Sequence, residues 1–348
     1  MTKRIDEWDF VKGFLIIMVM LGHTTASLGE YNKTPMLDYL SSLTVSFIMP
    51  FFLLTTGYFI YSDKGILKDR IAKKIRRLLV PAVLWGGYCG IILSFITIVN
   101  GYGAKEALIV LLKNLKYLWY LYATFVSALI ITIVRQKVPI QMQTWTLVAI
   151  AIVLHLIPTD LWNIAFVFSF ILVGHLLRTV GFKLTWFKTH GIICGFVITV
   201  YAILLVFFKY KHSIYISGIN LINNNPFFKQ LGIDLFRFGI GILGSMSIAW
   251  LIDSVWYACE KRTNILNKLC DAIRKIGVSS LQMYCTQYFV VEVVFARLVS
   301  LMGNGAFFTD NPYLCYFIWR HIFGFTLIFL TYRITKMIDT SKLGKIVY

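Results

Sequence analysis

His23 lies near the end of the stretch Gly13–Thr25, GFLIIMVMLGHTT, where eight uncharged apolar residues precede Gly22 and the histidine. An imidazole titrates near neutrality and can take a proton from a hydroxyl. In a segment fit for hydrocarbon it needs a polar cavity or a partner, so His23 is a candidate general base. The alternative is a histidine that only hydrogen-bonds a neighbouring helix. Asp9 falls within about 40° of the same helical face but about 21 Å away along the axis, too far to orient it. Lys12 shares that face about 16 Å below His23, with Ile16, Val19 and Met20 between them. Glu292 and Arg297 stand about 140° apart around a regular helix, so Glu292 needs a partner on another helix.

A second kind of chemistry is suggested by the segment 62–77, the densest charge cluster of the chain, which ends in Lys74, Arg76 and Arg77. Such a cluster can fix topology and attract anionic lipid, or it can grip phosphate groups. Other candidates have local explanations. Arg237 follows Asp234 by three residues and can pair with it. Arg320 and His321 are adjacent and point to different sides, so at least one faces the bundle interior. His155 and His175 lie close to span ends, where snorkelling suffices. Trp119, within YLWYLY at 117–122, sits where an interfacial aromatic belt is expected. No Walker loop, GxGxxG, GxSxG or HExxH is present, and no metal site is expected.

These residues must be carried by membrane helices. Of 348 residues, 58% are hydrophobic and only 14% charged. About ten segments are long and apolar enough to cross a bilayer, where only a helix satisfies its own backbone. They are 10–28, 39–61, 78–99, 117–134, 138–157, 161–177, 190–208, 233–252, 277–299 and 313–333. No connection has room for a soluble domain, so residues 1–348 read as one polytopic all-α integral membrane domain. The net charge of +18 is mostly topological. Counting loops alternately, 24 of the 34 Lys and Arg fall on the side of the N-terminus. The other side receives seven: Lys33, Lys105, Lys113, Lys116, Lys209, Lys211 and Lys229. By the positive-inside rule both termini are cytoplasmic and the helix count is even, and nucleic-acid binding is an unnecessary assumption. The first segment is read as retained rather than as a signal peptide, because its cleavage site is poor and nine spans follow. His23 then lies about 20 Å above the helix entry, in the outward half of a core about 30 Å thick. The six cysteines lie in spans or on the cytoplasmic side, with no CxxC spacing, and read as free thiols. Two functions fit this frame: an enzyme moving a group across or within the membrane, or a transporter. The absence of paired Gly/Pro-broken spans in corresponding halves favours the enzyme.

Six motifs in order sharpen that choice. RIDEWDFVKGFLIIMVMLGH (4–23) resembles the opening of the bacterial membrane-bound acyltransferase 3 family, with its Asp-x-x-Lys-Gly start and Gly-His end. FIMPFFLLTTGYF (47–59), KKIRRLLVPAVLW (73–85), YLWYLYATF (117–125), NNNPFFKQLGIDLFRFGIGILG (223–244) and IGVSSLQMY (276–284) resemble its later motifs, especially in the branch of sugar and polysaccharide O-acetyltransferases. The resemblance implies that His23 activates an acceptor hydroxyl, either as general base or through a covalent acyl-His. It also implies that the family's Arg-x-x-Arg, which handles the acyl-CoA donor, falls on Lys74-x-x-Arg77, with Arg76 between. Here lysine replaces the first arginine, keeping the charge but losing the bidentate fork. Gln287 stands where many relatives carry histidine. The expected donor is acetyl-CoA, bound from the cytoplasm, and the acceptor a cell-surface or lipid-linked glycan on the outer face. Asp9, Lys12, Trp119 and Glu292 would be supporting residues, membrane lipid the surrounding partner, and the bacterial cytoplasmic membrane the location. No hydrolase-like domain is appended, so one chain is expected to complete the transfer.

Overall fold

The computed structural model describes residues 6–28, 35–60, 66–156, 163–208, 227–260, 265–301, 310–341 and 344. Lys3, Arg4, Lys33, Lys64, Lys209, Lys211, Lys261, Arg262, Lys342 and Lys345, used in the charge count, and the start of the 223–244 motif lie outside the described residues. Each of the ten expected spans is helical over most of its described residues, and the described residues contain no strand. Seven helices are long and apolar enough to cross a membrane, and three shorter apolar helices cover 140–156, 164–179 and 191–207. The protein is an all-α integral membrane protein.

The helices in chain order are α1 (Asp6–Ser27), α2 (Pro35–Ile60), α3 (Leu67–Lys74), α4 (Val80–Val99), α5 (Ala104–Leu115), α6 (Trp119–Lys137), α7 (Ile140–Leu156), α8 (Ile164–Thr179), α9 (Trp186–Thr189), α10 (Gly191–Phe207), α11 (Phe227–Glu260), α12 (Ile265–Val278), α13 (Ser280–Gln287) and α14 (Ala296–Leu301). A C-terminal helix runs from Arg320 to Thr340. π-helical turns join α3 to α4 at Ile75–Leu79 and α13 to α14 at Tyr288–Phe295. Helices also occupy connections expected to be loops, among them the short α9 before the seventh span. Most of segment 62–77 is α3 and its π turn, continuous with α4 from Leu67 to Val99. The stretch between the third and fourth spans holds α5, and that before the ninth holds α12. Charged residues interrupt the apolar runs there but not the helical repeat, so a hydropathy criterion passes over them.

The chain divides into two compact units. The first comprises residues 1–15, 38–72 and 123–278; the second comprises 16–37, 73–122 and 279–348. Within the first unit, α2 and α8 pack through reciprocal glycines. A Cβ at Gly57 would overlap the Ile171 carbonyl, and one at Gly174 would overlap that of Leu54. In lipid, where apolar helices gain little from leaving apolar surroundings, such close backbone approach supplies the dispersion contacts that hold them together. Ser46 and Tyr201 share a 2.7 Å hydrogen bond between α2 and α10. Phe166, Phe168 and Phe170 of α8 are fully buried. Cys259 of α11 and Cys270 of α12 form a disulfide, with Cα atoms 6.6 Å apart. The expectation of six free thiols therefore holds only for Cys89, Cys194, Cys285 and Cys315. Sequence separation could not show that α11 and α12 bring the other two within bridging distance.

In the second unit, α4 and α5 form a hairpin. The Ser94 hydroxyl donates to the Ala107 carbonyl at 2.7 Å. α13 packs on the C-terminal helix, where the Thr335 hydroxyl donates to Thr286 at 3.2 Å. The last half of α1 enters this unit with Ile16 and Met20 fully buried. Ile16, Val19 and Met20 form a packed core stripe, not the lining of an open passage.

Candidate active site

Glu292 finds the partner that its place on the helix demanded. Its Oε1 lies 2.7 Å from His23 Nδ1, across 269 residues of sequence. Both residues belong to the second unit. A carboxylate only accepts, so Nδ1 carries the hydrogen and the lone pair of the ring sits on Nε2. In that tautomer Nε2 is the acceptor nitrogen of the ring. The side chains keep 34% and 23% of their surface open.

Local backbone geometry makes this meeting possible. Glu292 sits in the middle of the π segment Tyr288–Phe295, which closes with the Ala296 N–H donating to the Val291 carbonyl five residues back. The wider turn breaks the 100° step on which a regular helical projection rests. His23 is presented by an unbroken α-helix. The adjacent Thr24 and Thr25 hydroxyls donate to the Met20 and Leu21 carbonyls at 2.8 and 2.7 Å, so they are satisfied within α1.

Around Glu292 the structure adds three residues with no signal in the sequence. Tyr117 lies close enough to Glu292 to interact with it electrostatically. The Tyr117 ring stacks on Tyr288, with centroids 4.1 Å apart and planes 12° from parallel. The Tyr288 hydroxyl in turn donates to Asn114 Oδ1, and the Asn114 amide donates to the Val110 carbonyl at 2.7 Å. In sequence Tyr117 looks like any interfacial aromatic, Tyr288 like any aromatic inside a span, and Asn114 like a loop asparagine. Trp119, the aromatic singled out from that segment, is half-buried and meets Tyr120 edge-on at 6.4 Å.

The basic cluster divides by burial. Lys74 is buried, whereas Arg76 and Arg77 are exposed on the π turn Ile75–Leu79. Arginine at two consecutive exposed positions suits phosphate oxygens by charge and by its hydrogen-bond donors. All three belong to the second unit, as His23 does. Asp9 and Lys12 belong to the first unit and pair with each other at 2.7 Å. Lys12 also lies over the Phe59 ring, 4.5 Å from its centroid. Glycine accounts for the burial of Asp9: a Cβ at Gly277 of α12 would overlap the Asp9 carbonyl, and one at Gly13 would overlap Ile273. The Asp-x-x-Lys-Gly and Ile-Gly motifs therefore meet as one close helix contact.

The remaining candidates have structural roles. Arg237 Nη1 donates to Asp234 at 3.3 Å, as their spacing suggests. Arg320 is buried over the Tyr316 ring, while His321 bonds its own helix at Phe317. His155 is within 3.1 Å of the Ser169 hydroxyl. His175 is buried and does not snorkel, because the α8 turn that carries it is covered by protein instead of facing the interface. Gln287 is buried beside the π segment. Among the described residues no group of His, Cys, Asp and Glu could hold a metal ion.

Comparison with known proteins settles the kind of reaction. The model of the acyltransferase domain, Acyl_transf_3, matches residues 5–333. The chain belongs to the acyltransferase 3 family. It is accordingly a multi-pass membrane acyltransferase. No curated protein and no solved structure matches it. The acyltransferase assignment rests on nearly the full chain, including α1 with His23 and the segment carrying Glu292.

Proposed function

We propose that this acyltransferase moves an acetyl group from acetyl-CoA to a hydroxyl of a cell-surface or lipid-linked glycan, with His23 as the base. The observation that carries this reading is the 2.7 Å contact between His23 Nδ1 and Glu292, in a partly open site of the acyltransferase. His23 Nε2 takes the proton of the acceptor hydroxyl as its oxygen attacks the thioester carbonyl. Glu292 stabilises the resulting imidazolium, and the proton can then pass to the departing thiolate. The same lone pair on Nε2 also suits attack on the thioester carbonyl, so an acyl-His route stands beside direct transfer.

Arg76 and Arg77 would hold the phosphates of the donor. The positive-inside count puts that end of α4 in the cytoplasm and His23 in the outward half of α1, so donor and acceptor would approach from opposite faces. The location that follows is a bacterial cytoplasmic membrane, with both termini inside.

Reconstituted protein given labelled acetyl-CoA and a panel of glycan acceptors tests the proposal. Label should appear on a glycan hydroxyl and disappear with His23→Ala. Transfer only from succinyl-CoA would correct the acyl group. Flux of unmodified ligand in vesicles lacking acetyl-CoA would favour a transporter instead.

A further inference from the structure

Two arginines are buried among the described residues, and only one of them has a carboxylate partner. Arg237 has Asp234 on its own helix. Arg320, 6% exposed, makes no hydrogen bond and no ion pair with any described residue, and its Nε is sealed from solvent without an acceptor. Its guanidinium lies over the Tyr316 ring, 4.6 Å from the centroid. A ring face offsets part of the cost of a buried cation, but it accepts none of the five guanidinium hydrogens in the way an oxygen does. An arginine kept inside the membrane on those terms marks a place where a polar partner is received.

The elements around Arg320 are those that carry His23 and Glu292. The C-terminal helix meets α1 at Gly324, where a Cβ would overlap Leu21 and come within 3.8 Å of the Thr24 hydroxyl, the residues that flank Gly22 and His23. It meets the π segment of Glu292 through Phe323, whose ring centroid lies 5.4 Å from that of Phe295. Arg320 stands one turn before Gly324 on the same face, about 6 Å further along the axis. The charge count puts the end of this helix in the cytoplasm, so that displacement is outward. All these residues belong to the second unit. Glu292, the carboxylate of the neighbouring element, is held by His23 and not by Arg320. We propose that Arg320 is a recognition site for an anionic group of the acceptor, a carboxylate or a phosphate, which the guanidinium fork holds outward of the reacting hydroxyl. The inference rests on the reading of the protein as an acetyltransferase of an outer glycan, and it names the chemistry of that acceptor: an acidic or phosphate-bearing sugar. Tyr316, beneath the guanidinium, keeps the fork in place until the anion arrives.

Matched acceptors test this with the full-length protein in zwitterionic nanodiscs: a glucose tetrasaccharide, its counterpart with one glucuronic acid, and its counterpart with one phosphate. The wild-type protein should melt higher with an anionic glycan than with the neutral one, and acetylate it with kcat/KM about 10- to 100-fold higher. Which anion does so tells a carboxylate from a phosphate. Without ligand, Arg320→Met should melt no lower than wild type, because it removes a buried charge that has no partner. It should lose the anion-dependent melting shift and cut the kcat/KM preference to within about twofold, the loss falling on KM for the anionic glycan. Arg320→Lys keeps the charge without the fork and should fall between the two. If Arg320→Met does not fold, Arg320→Lys decides by the same readouts. Equal melting and turnover with neutral and anionic glycans in the wild type would overturn the proposal. So would an Arg320→Met protein that loses transfer equally on both, which would place Arg320 at the thioester or in the fold. A melting shift produced only by phosphatidylglycerol in the nanodisc would give the site to a lipid headgroup and overturn it as well. An anion-dependent shift that Arg320→Met abolishes, in a protein that transfers acetyl to no glycan, would leave the anion site standing and remove the acetyl-transfer reading.

Discussion

Two acid–base pairs are held by this protein in contrasting ways. In the first unit, Asp234 and Arg237 sit three residues apart on α11, with side chains only 7% and 3% exposed. In the second, His23 and Glu292 come from helices 269 residues apart and stay partly open. The first pair is local and closed: the same helix that brings in each charge brings in its neutraliser, so burial is tolerable. The second is assembled by the tertiary fold and remains reachable. Opposite charges in contact do not by themselves mark a reaction centre; access and dependence on the fold separate the two.

That contrast can be broken most sharply at His23. His23→Ala should lower acyl transfer by roughly 10²- to 10⁴-fold, the usual worth of a positioned base, while leaving insertion and thermal unfolding unchanged. Transfer of labelled acyl groups in nanodiscs measures the first and a melting scan the second. Normal transfer would place the reaction elsewhere.

Asp234→Ala should do the reverse, costing about 3–5 kcal/mol of stability by stranding Arg237. Asp234→Leu combined with Arg237→Met should recover most of that loss. Melting curves of single and double variants give the answer, and a double variant no better than the single would mean that Arg237 is not stranded. Glu292→Gln should sit between the two behaviours: transfer falls by about 10- to 100-fold, an effect of 1.4–2.8 kcal/mol, with little change in melting. A large loss of stability there would make His23–Glu292 a structural pair like the other.

Charge reversal at Arg76 and Arg77 should raise KM for acetyl-CoA by about tenfold with kcat nearly unchanged. A membrane-orientation reporter must accompany the measurement, because the same charges can set topology. The smallest effect concerns Asp271 on α12, whose carboxyl is held below the usual range by hydrogen bonds from Lys275 and Arg274. A lowered native value means stability present above the ordinary carboxylate range and lost as pH falls through the native value. Asp271→Asn should flatten that acidic limb slightly and leave stability near neutral pH almost unchanged, since the pair is exposed.

The all-helical character and the positions of ten apolar segments were legible in the sequence, because a backbone in hydrocarbon must satisfy itself and an apolar run of sufficient length has no alternative. His23 was legible for the same reason: a titratable group in such a run is conspicuous. The pairing of Asp234 with Arg237 followed from helical spacing, which composition and periodicity expose directly. Arg76 and Arg77 were legible as a cluster, but not the burial of Lys74, which depends on what packs over it.

The tertiary structure alone decided the partner of Glu292. Its place in a π segment removes the regular angular step from which a projection would start, and its partner lies 269 residues away. It also decided that Tyr117 and Tyr288 stack, that Cys259 meets Cys270, and that Asp9 is buried by the close approach of Gly277. Sequence records which side chains a helix must carry through a membrane, since that cost is paid residue by residue. Which helices face one another depends on packing summed over the whole bundle, and no short stretch contains that sum.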